Sequence, residues 1–545
     1  MLRRVDVCIY GGTPAGCAAA VAARQEGASV VLVEPSRWLG GMLGAGLGPA
    51  QDCPMPDAVG GMTRNVVFGF GDWPPRARKG FAAWLDREGV PVLFDHRVQE
   101  VQAEAARIGT VRFGHAPFDG CGVPAPGFSS EGSHVVEAKI FIDASYEGDL
   151  MAQSGVSYRV GRESTDAFGE PLAGVGEPTN WTPIDPYLDP GQPESGLLVG
   201  VDPDHGLAQG SADGYTQAYN FRFSVTTDAR RRVPFGRPRR YRCEEYELVG
   251  RYVQHLVQEH GDDQDELARR LVGIFPGWLN EGDYNYQRAS LVTIAPLGES
   301  RHYQDAGWDE RSAIWRHHIE YLRGLHYFMS TDLRVPEFFR VRTAELGLDR
   351  AMYPDTEGWP HQLYVRVARR MRGRYTLTHQ DVTDQFTVDD SVGLALYGVD
   401  VYPVRRYACR GSDYDSPQIG VATEGNMFIG GSNGTGRPFQ VPYRAITPQR
   451  DECVNLLVPV SLSATHVAYA ATRMEPVFSV LGESSGVAAA HCVQEDHDVQ
   501  DLDIPKLQER LQTRGQVISW PELPTDGSSP IVAARSIPVA DGRAR

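Results

Sequence analysis

A chain of 545 residues is too long for one ordinary core, so two or more domains are expected, and 41% hydrophobic residues are enough to bury them. Its 70 acidic residues outnumber 53 basic ones, and the net charge of -17 argues against general nucleic-acid binding. The 8 cysteines form no C-x-x-C or comparable pair, which argues against a zinc ribbon, a cysteine-ligated iron–sulfur cluster and a local dithiol, so no metal is expected.

The opening MLRRVDVCIYGG has a charged end but only a short apolar run, broken by Asp6 and two glycines, so a secretory signal is not expected. No run of about 18 apolar residues occurs, so no membrane span is expected and a cytoplasmic location is the default. Val5–Tyr10 predicts a strand buried on both faces. In PAGCAAAVAARQEG, Pro14 suits the first turn of a helix, alanines fill it and Gly27 stops it. Ser29–Glu34 predicts the next strand, completing a β-turn-α-β unit.

Such a turn needs Gly11 for the tight bend, a small middle residue so that backbone N–H groups approach a diphosphate, and Gly16 so that the helix lies on the strand. Gly11, Gly12, Thr13, Pro14, Ala15 and Gly16 are therefore the candidate phosphate cradle. Thr13 stands where a second glycine is usual; its hydroxyl is expected to donate to a phosphate oxygen and its Cβ to push that phosphate outward. Glu34, followed by Pro35, stands where an acid accepts from ribose hydroxyls and disfavours a 2′-phosphate. Beyond them, Gly40, Gly41 and Met42 open a glycine-rich stretch that reads either as a backbone passing close to the long FAD molecule or as a flexible surface loop.

Further along, PVLFDHRVQEV and AKIFIDASYEGD each predict a strand, the second ending in Asp143, Ala144 and Ser145, small enough for a cofactor to lie against. A loop-rich piece, GHAPFDGCGVPAPGFSSEGS, lies between them. From about Arg162 to about Pro438 the text is loop-rich in Gly and Pro, then helical at EYELVGRYVQHLVQEH and RSAIWRHHIEYLRGLHYFMS. The one dense basic segment, Arg230 to Arg242, reads as a solvated loop or a substrate-domain edge. GGSNGTG, Gly430–Gly436, reads as a turn because the strand-like QVPYRAI follows it and no amphipathic helix supplies a dipole; no nicotinamide turn is seen. Val454–Val460 predicts a buried strand, and RMEPVFSVLGESSGVAAA predicts a small-residue helix with Pro476 in its first turn.

These words, from IYGGTPAGCAAAVAARQEG through HQLYVRVARRMRGRYTLT to the block ending near Ala490, resemble the FAD-dependent oxidoreductases of the glutathione-reductase-like flavoprotein superfamily, with its two-dinucleotide-binding-domain architecture. The resemblance implies an α/β fold: a Rossmann-like FAD-binding domain in two parts, 1-165 and 439-545, with an inserted α+β substrate or cap domain at 166-438. It also implies that Val98 holds the adenine by its backbone, that Ala144 and Ser145 close over the adenine and pyrophosphate side, and that Met474 and Glu475 lie beside the flavin ring at a helix N-terminus. Relatives carry a histidine shortly after the aspartate that matches Asp400; Val401, Tyr402 and Pro403 stand there instead, which points to a different substrate. Arg405 and Arg406 read either as anion-recognising groups or as surface charge.

His466 and Arg473, between the last strand and helix, read either as a proton-handling group and a carboxylate anchor or as a core histidine and a structural ion-pair partner. The leading expectation is an oxidoreductase exchanging a hydride between a small organic substrate and flavin N5. A monooxygenase or halogenase-like enzyme fed by a separate reductase is the alternative, with a flavin-binding sensor as a third class. Partners are then a small-molecule substrate and an electron donor or acceptor protein.

Overall fold

The computed structural model describes residues 2–48, 52–276, 282–383, 386–411, 418–429 and 437–520. Strand β1 (Leu2–Tyr10) runs into helix α1 (Pro14–Gln25) and strand β2 (Val30–Val33), and β1 and β2 pair in parallel. α1 starts where Thr13 caps it and Pro14 presets its φ, and it ends before Gly27, whose φ of +92° continues no helix. β3 (Val92–Leu93) extends the parallel sheet beyond β2, while β6 (His134–Asp143) pairs in parallel with the other edge of β1. The far edge of β6 is shared. Its first half pairs antiparallel with β5 (Arg107–His115), and its last residues, Phe141 and Ile142, pair in parallel with Leu456–Leu457.

The continuous strand expected across PVLFDHRVQEV breaks at Asp95, whose φ is +58°. β3 stays in the parallel sheet, and β4 (His96–Glu104) turns away to pair antiparallel with β5. The corner is fixed by two bonds: the Asp95 amide donates to the Ser36 carbonyl at 2.8 Å and the His96 amide to the Glu34 carbonyl at 3.1 Å. Val454–Val460, expected as one strand, is buried throughout but pairs only at Leu456 and Leu457.

The middle of the chain adds a four-stranded antiparallel sheet, ordered Arg232–Val233, Gly347–Asp349, Phe223–Thr226, Gly282–Tyr284, and a three-stranded one of Arg405–Arg410, Ile419–Glu424 and Pro178–Thr182. Helices α2 (Glu247–His260) and α3 (Trp308–Thr331) fall where the sequence pattern puts them. GGSNGTG lies outside the described residues; in QVPYRAI the strand covers only its first part, to Pro442, and Tyr443–Ala445 is a tight helical turn.

The chain then returns to the first sheet. After Leu456–Leu457 come α4 (His466–Thr472) and α5 (Glu475–Glu495), and α5 lies against α1. That crossing is close because both faces are small: a Cβ on Gly482 would stand 2.1 Å from the Ala15 carbonyl oxygen, and one on Gly486 2.2 Å from that of Ala19. One apolar core runs through Val7 of β1, Ala19 of α1, Leu322 of α3 and Val487 of α5, so burial of these faces joins the sequence ends. Among the described residues no helix is long and apolar enough to cross a membrane, and no group of three or more His, Cys, Asp and Glu could hold a metal.

Candidate functional site

The β1–α1 turn is a backbone construction. Gly11 has φ +99°, and a Cβ there would meet the Ser145 amide nitrogen at 2.7 Å; a Cβ on Gly16 would stand 1.8 Å from the Gly11 carbonyl oxygen. Gly12 donates its amide to Glu34 Oε2, while Glu34 Oε1 accepts from the Ser36 amide at 2.8 Å and hydroxyl at 2.6 Å. Burial pushes the Glu34 carboxyl up, against the pull of these bonds. The structure thus brings Gly11, Gly12, Gly16, Glu34, Ala144 and Ser145 together. A small cavity beside them is lined by Thr13, Glu34, Gly41, Arg78 and His361.

Thr13 departs from expectation. Its hydroxyl donates to the Ala144 carbonyl at 2.8 Å and accepts from the Gly16 amide at 3.3 Å, so it caps α1 and ties it to the end of β6. Ser145 is likewise engaged: its amide and hydroxyl both donate to Asp143 Oδ1, at 3.0 and 2.6 Å. Gly40 and Gly41, both at positive φ, are needed for protein contacts: a Cβ on Gly40 would meet the Phe81 ring at 2.4 Å, and one on Gly41 the Tyr146 hydroxyl at 2.3 Å.

A short relay joins three of the expected cofactor segments. The Met42 amide donates to Tyr146 Oη at 3.0 Å, and Tyr146 donates to Glu475 Oε1 at 2.6 Å. Glu475 is the first residue of α5, and Met474 before it gives the helix no side-chain cap, so the first-turn amides and their partial positive charge stay available to an acceptor. The other Glu475 oxygen, Oε2, is buried and has no hydrogen-bond partner among the described residues. Burial pushes the Glu475 carboxyl up to about 8, so it is protonated at neutral pH. Val98 is buried on β4, two residues beyond the corner that touches Glu34 and Ser36.

Beside α5 lies a charge cluster assembled from distant segments. Arg473 donates through Nη2 to the Asp400 carbonyl at 2.7 Å, stands 3.4 Å from its carboxylate, and reaches Tyr364 Oη at 3.3 Å. Arg288 pairs with Asp400 from the other side. Arg366 is buried with its guanidinium 3.4 Å from the Tyr402 ring centroid, and its charge is felt, with those of Arg222 and Arg473, at Asp52, whose carboxyl burial pushes up. The result is Arg288, Arg366 and Arg473 against Asp52 and Asp400, with Arg222 close enough for its charge to be felt at Asp52, a positive interior next to an uncapped helix start. Arg473 Nε is buried and has no hydrogen-bond partner among the described residues.

His466 opens α4 and Arg473 follows its last residue, so the two stand about 10 Å apart along the axis. Burial, with Arg370, Arg162 and Arg473 adding to it, holds the His466 ring well below the ordinary imidazole range, and its buried Nε2 has no hydrogen-bond partner among the described residues. It is therefore a neutral imidazole, and the same burial and neighbouring guanidinium groups resist placing a second proton on its ring. Arg405 and Arg406, whose surface reading weighed against recognition, are both buried: Arg405 pairs with Glu424 at 3.2 Å, and Arg406 donates to the carbonyls of Leu291 and Gly200, each at 2.9 Å. Tyr146, Asp52, Arg222, Arg288, Tyr364 and Arg366 escaped the sequence reading. Arg222 and Arg366 each left a signal, a cation inside the apolar runs FRFSV and LYVRVA.

Positions that tolerate no Cβ, an uncapped helix start and an unpartnered buried oxygen on Glu475 fit a dinucleotide cofactor whose ring lies near α5. Comparison with known proteins agrees on its identity. The model of the family described as FAD dependent oxidoreductase matches residues 6–511. No curated protein matches the chain. Similar solved structures include the OxyS anhydrotetracycline hydroxylase from Streptomyces rimosus (17% identity, TM-score 0.19, 30% of this chain and 36% of that one) and the myxobacterial chondrochloren halogenase CndH (20% identity, TM-score 0.20, 29% and 41%). The L-proline dehydrogenase from P. horikoshii is a third, at 19% identity and TM-score 0.18 over 30% of this chain and 25% of that one. The chain therefore spans less than half the length of each of these three.

Proposed function

We propose that this chain, which belongs to the FAD-dependent oxidoreductase family, exchanges a hydride between its FAD and a small organic substrate that carries an anionic group. Bound FAD supplies a two-electron acceptor or donor at N5. The observation that carries the reading is the positive interior around Arg473, next to the uncapped start of α5. A buried excess of positive charge favours an anion there, whether a substrate carboxylate or negative charge developing in the reaction.

In this reading Gly11, Gly12, Pro14, Ala15 and Gly16 shape the diphosphate cradle. Pro14 has no N–H and Gly16 is capped by Thr13, so Ala15 offers the first-turn amide of α1. Glu34 and Pro35 border the ribose, Val98 the adenine, Gly40 to Met42 and Ala144–Ser145 the middle of the cofactor, and Met474 and Glu475 its ring. His466, a neutral imidazole, is the candidate proton-handling group, and Arg473 anchors the anion. Residues 166–438 serve as the substrate or cap region inserted between 1–165 and 439–545.

The test is anaerobic. Purified holoprotein is mixed with small carboxylates and with neutral analogues of the same skeleton, and the visible flavin absorbance is followed. At least one carboxylate is expected to bleach it faster than its neutral analogue; bleaching confined to neutral compounds refutes the anionic substrate class.

A further inference from the structure

A cavity of about 1090 Å³ lies in the middle of the chain, between the segment 235–242, α2 and α3, and its lining shares no residue with the glycine turn or with α5. Its size is at the upper end of small-ligand sites. Seven arginines and three glutamates line it, so its walls are net positive although the protein as a whole is acidic. Several of those arginines are spent: Arg242 pairs with Glu245, Arg323 with Glu320 at 2.7 Å, and Arg316 with Asp119 at 3.1 Å. Arg239 and Arg240 at the exposed rim have no ion-pair partner among the described residues.

The decisive group is Arg406, in the buried wall. It is 4% exposed, its Nε and Nη1 are held by backbone carbonyls, and among the described residues Nη2 has no acceptor and no carboxylate pairs with the guanidinium; Asp202, whose charge reaches it, is itself paired with Arg301. A buried cation with no carboxylate in contact is costly, and an anion in the cavity would offset its charge. The remaining lining is apolar and aromatic: Phe235, Tyr241, Tyr246, Leu248, Val249 and Leu297.

We infer that this cavity binds an organic anion with a flat apolar body, its acidic group held toward Arg406, Arg239 and Arg240 drawing it in at the rim, and its body lying on the tyrosine and leucine side chains. The inference is independent of the flavin reading, because none of these residues belongs to the cofactor or Arg473 groups.

Isothermal titration calorimetry on the FAD-loaded protein tests it, with 8-anilinonaphthalene-1-sulfonate as the anionic probe and N-phenyl-1-naphthylamine as the same aromatic body without the sulfonate. The sulfonate is expected to bind at least about tenfold more tightly than the amine, and the Arg239→Gln, Arg240→Gln double variant to weaken it by about tenfold without changing amine binding or the flavin spectrum. Arg406→Met should weaken it further. Equal binding of the two dyes, or a double variant that binds the sulfonate as the native protein does, overturns the proposal; because both rim residues are exposed, that variant decides the matter even if Arg406→Met fails to fold.

Discussion

The turn at Gly11–Gly16 and the cluster around Arg473 are both functional candidates, yet they are built in opposite ways. The turn is made of main chain, and its side chains are mostly absent, so a few neighbouring residues specify it. The cluster is made of side chains whose charges meet from positions 52, 222, 288, 366, 400 and 473, and no short stretch contains it. A cofactor common to a family can be held by local backbone geometry. Chemistry that distinguishes one member needs long-range assembly.

This contrast can be broken most forcefully at the turn. Gly16→Ala places a methyl 1.8 Å from the Gly11 carbonyl oxygen, a backbone atom that cannot move aside. A loss of about 3 kcal/mol or more is expected, with FAD content falling in the purified protein, read by denaturant unfolding and the visible spectrum. In the cluster, Asp400→Asn keeps the shape but leaves Arg288 and Arg473 without their shared carboxylate; about 3 kcal/mol of stability is expected to be lost, with tighter inhibition by small carboxylates.

A third effect is read as a pH profile. The Glu475 carboxyl is pushed up to about 8 by burial, so between the ordinary carboxylate range and pH 8 the folded protein holds a proton that the unfolded chain has released. Stability contributed by the neutral acid is therefore lost as pH rises through that window, at up to about 1.4 kcal/mol per pH unit, and levels off above it. Glu475→Gln should flatten that slope, measured by unfolding at successive pH values.

Thr13 gives the smallest change. Because its hydroxyl caps α1, Thr13→Val should cost about 1 kcal/mol. FAD affinity should stay within about threefold of the native value; a much larger loss would restore the phosphate contact expected from sequence.

The same contrast explains what could be read in advance. β1, α1, β2 and β6 were legible because apolar runs, Pro14, Gly11 and Gly27 are local signals with local consequences. The break at Asp95 was not, because it depends on bonds to Glu34 and Ser36, some sixty residues earlier in the chain. His466 and Arg473 could be singled out as chemically able, but their neutral and ion-paired states arise from Arg370, Tyr364 and Asp400, which only folding brings near. For Arg405 and Arg406 the choice between anion recognition and surface charge stayed open for the same reason: their buried acceptors, Glu424 and the carbonyls of Leu291 and Gly200, lie elsewhere in the sequence.

The reduction potential of the bound FAD in native protein and in Arg473→Gln tests the proposed role of the cluster most directly. A positive interior beside α5 predicts a lower potential in the variant, since reduction then adds negative charge to a less positive site. Identical potentials, with FAD fully bound in both proteins, would contradict it.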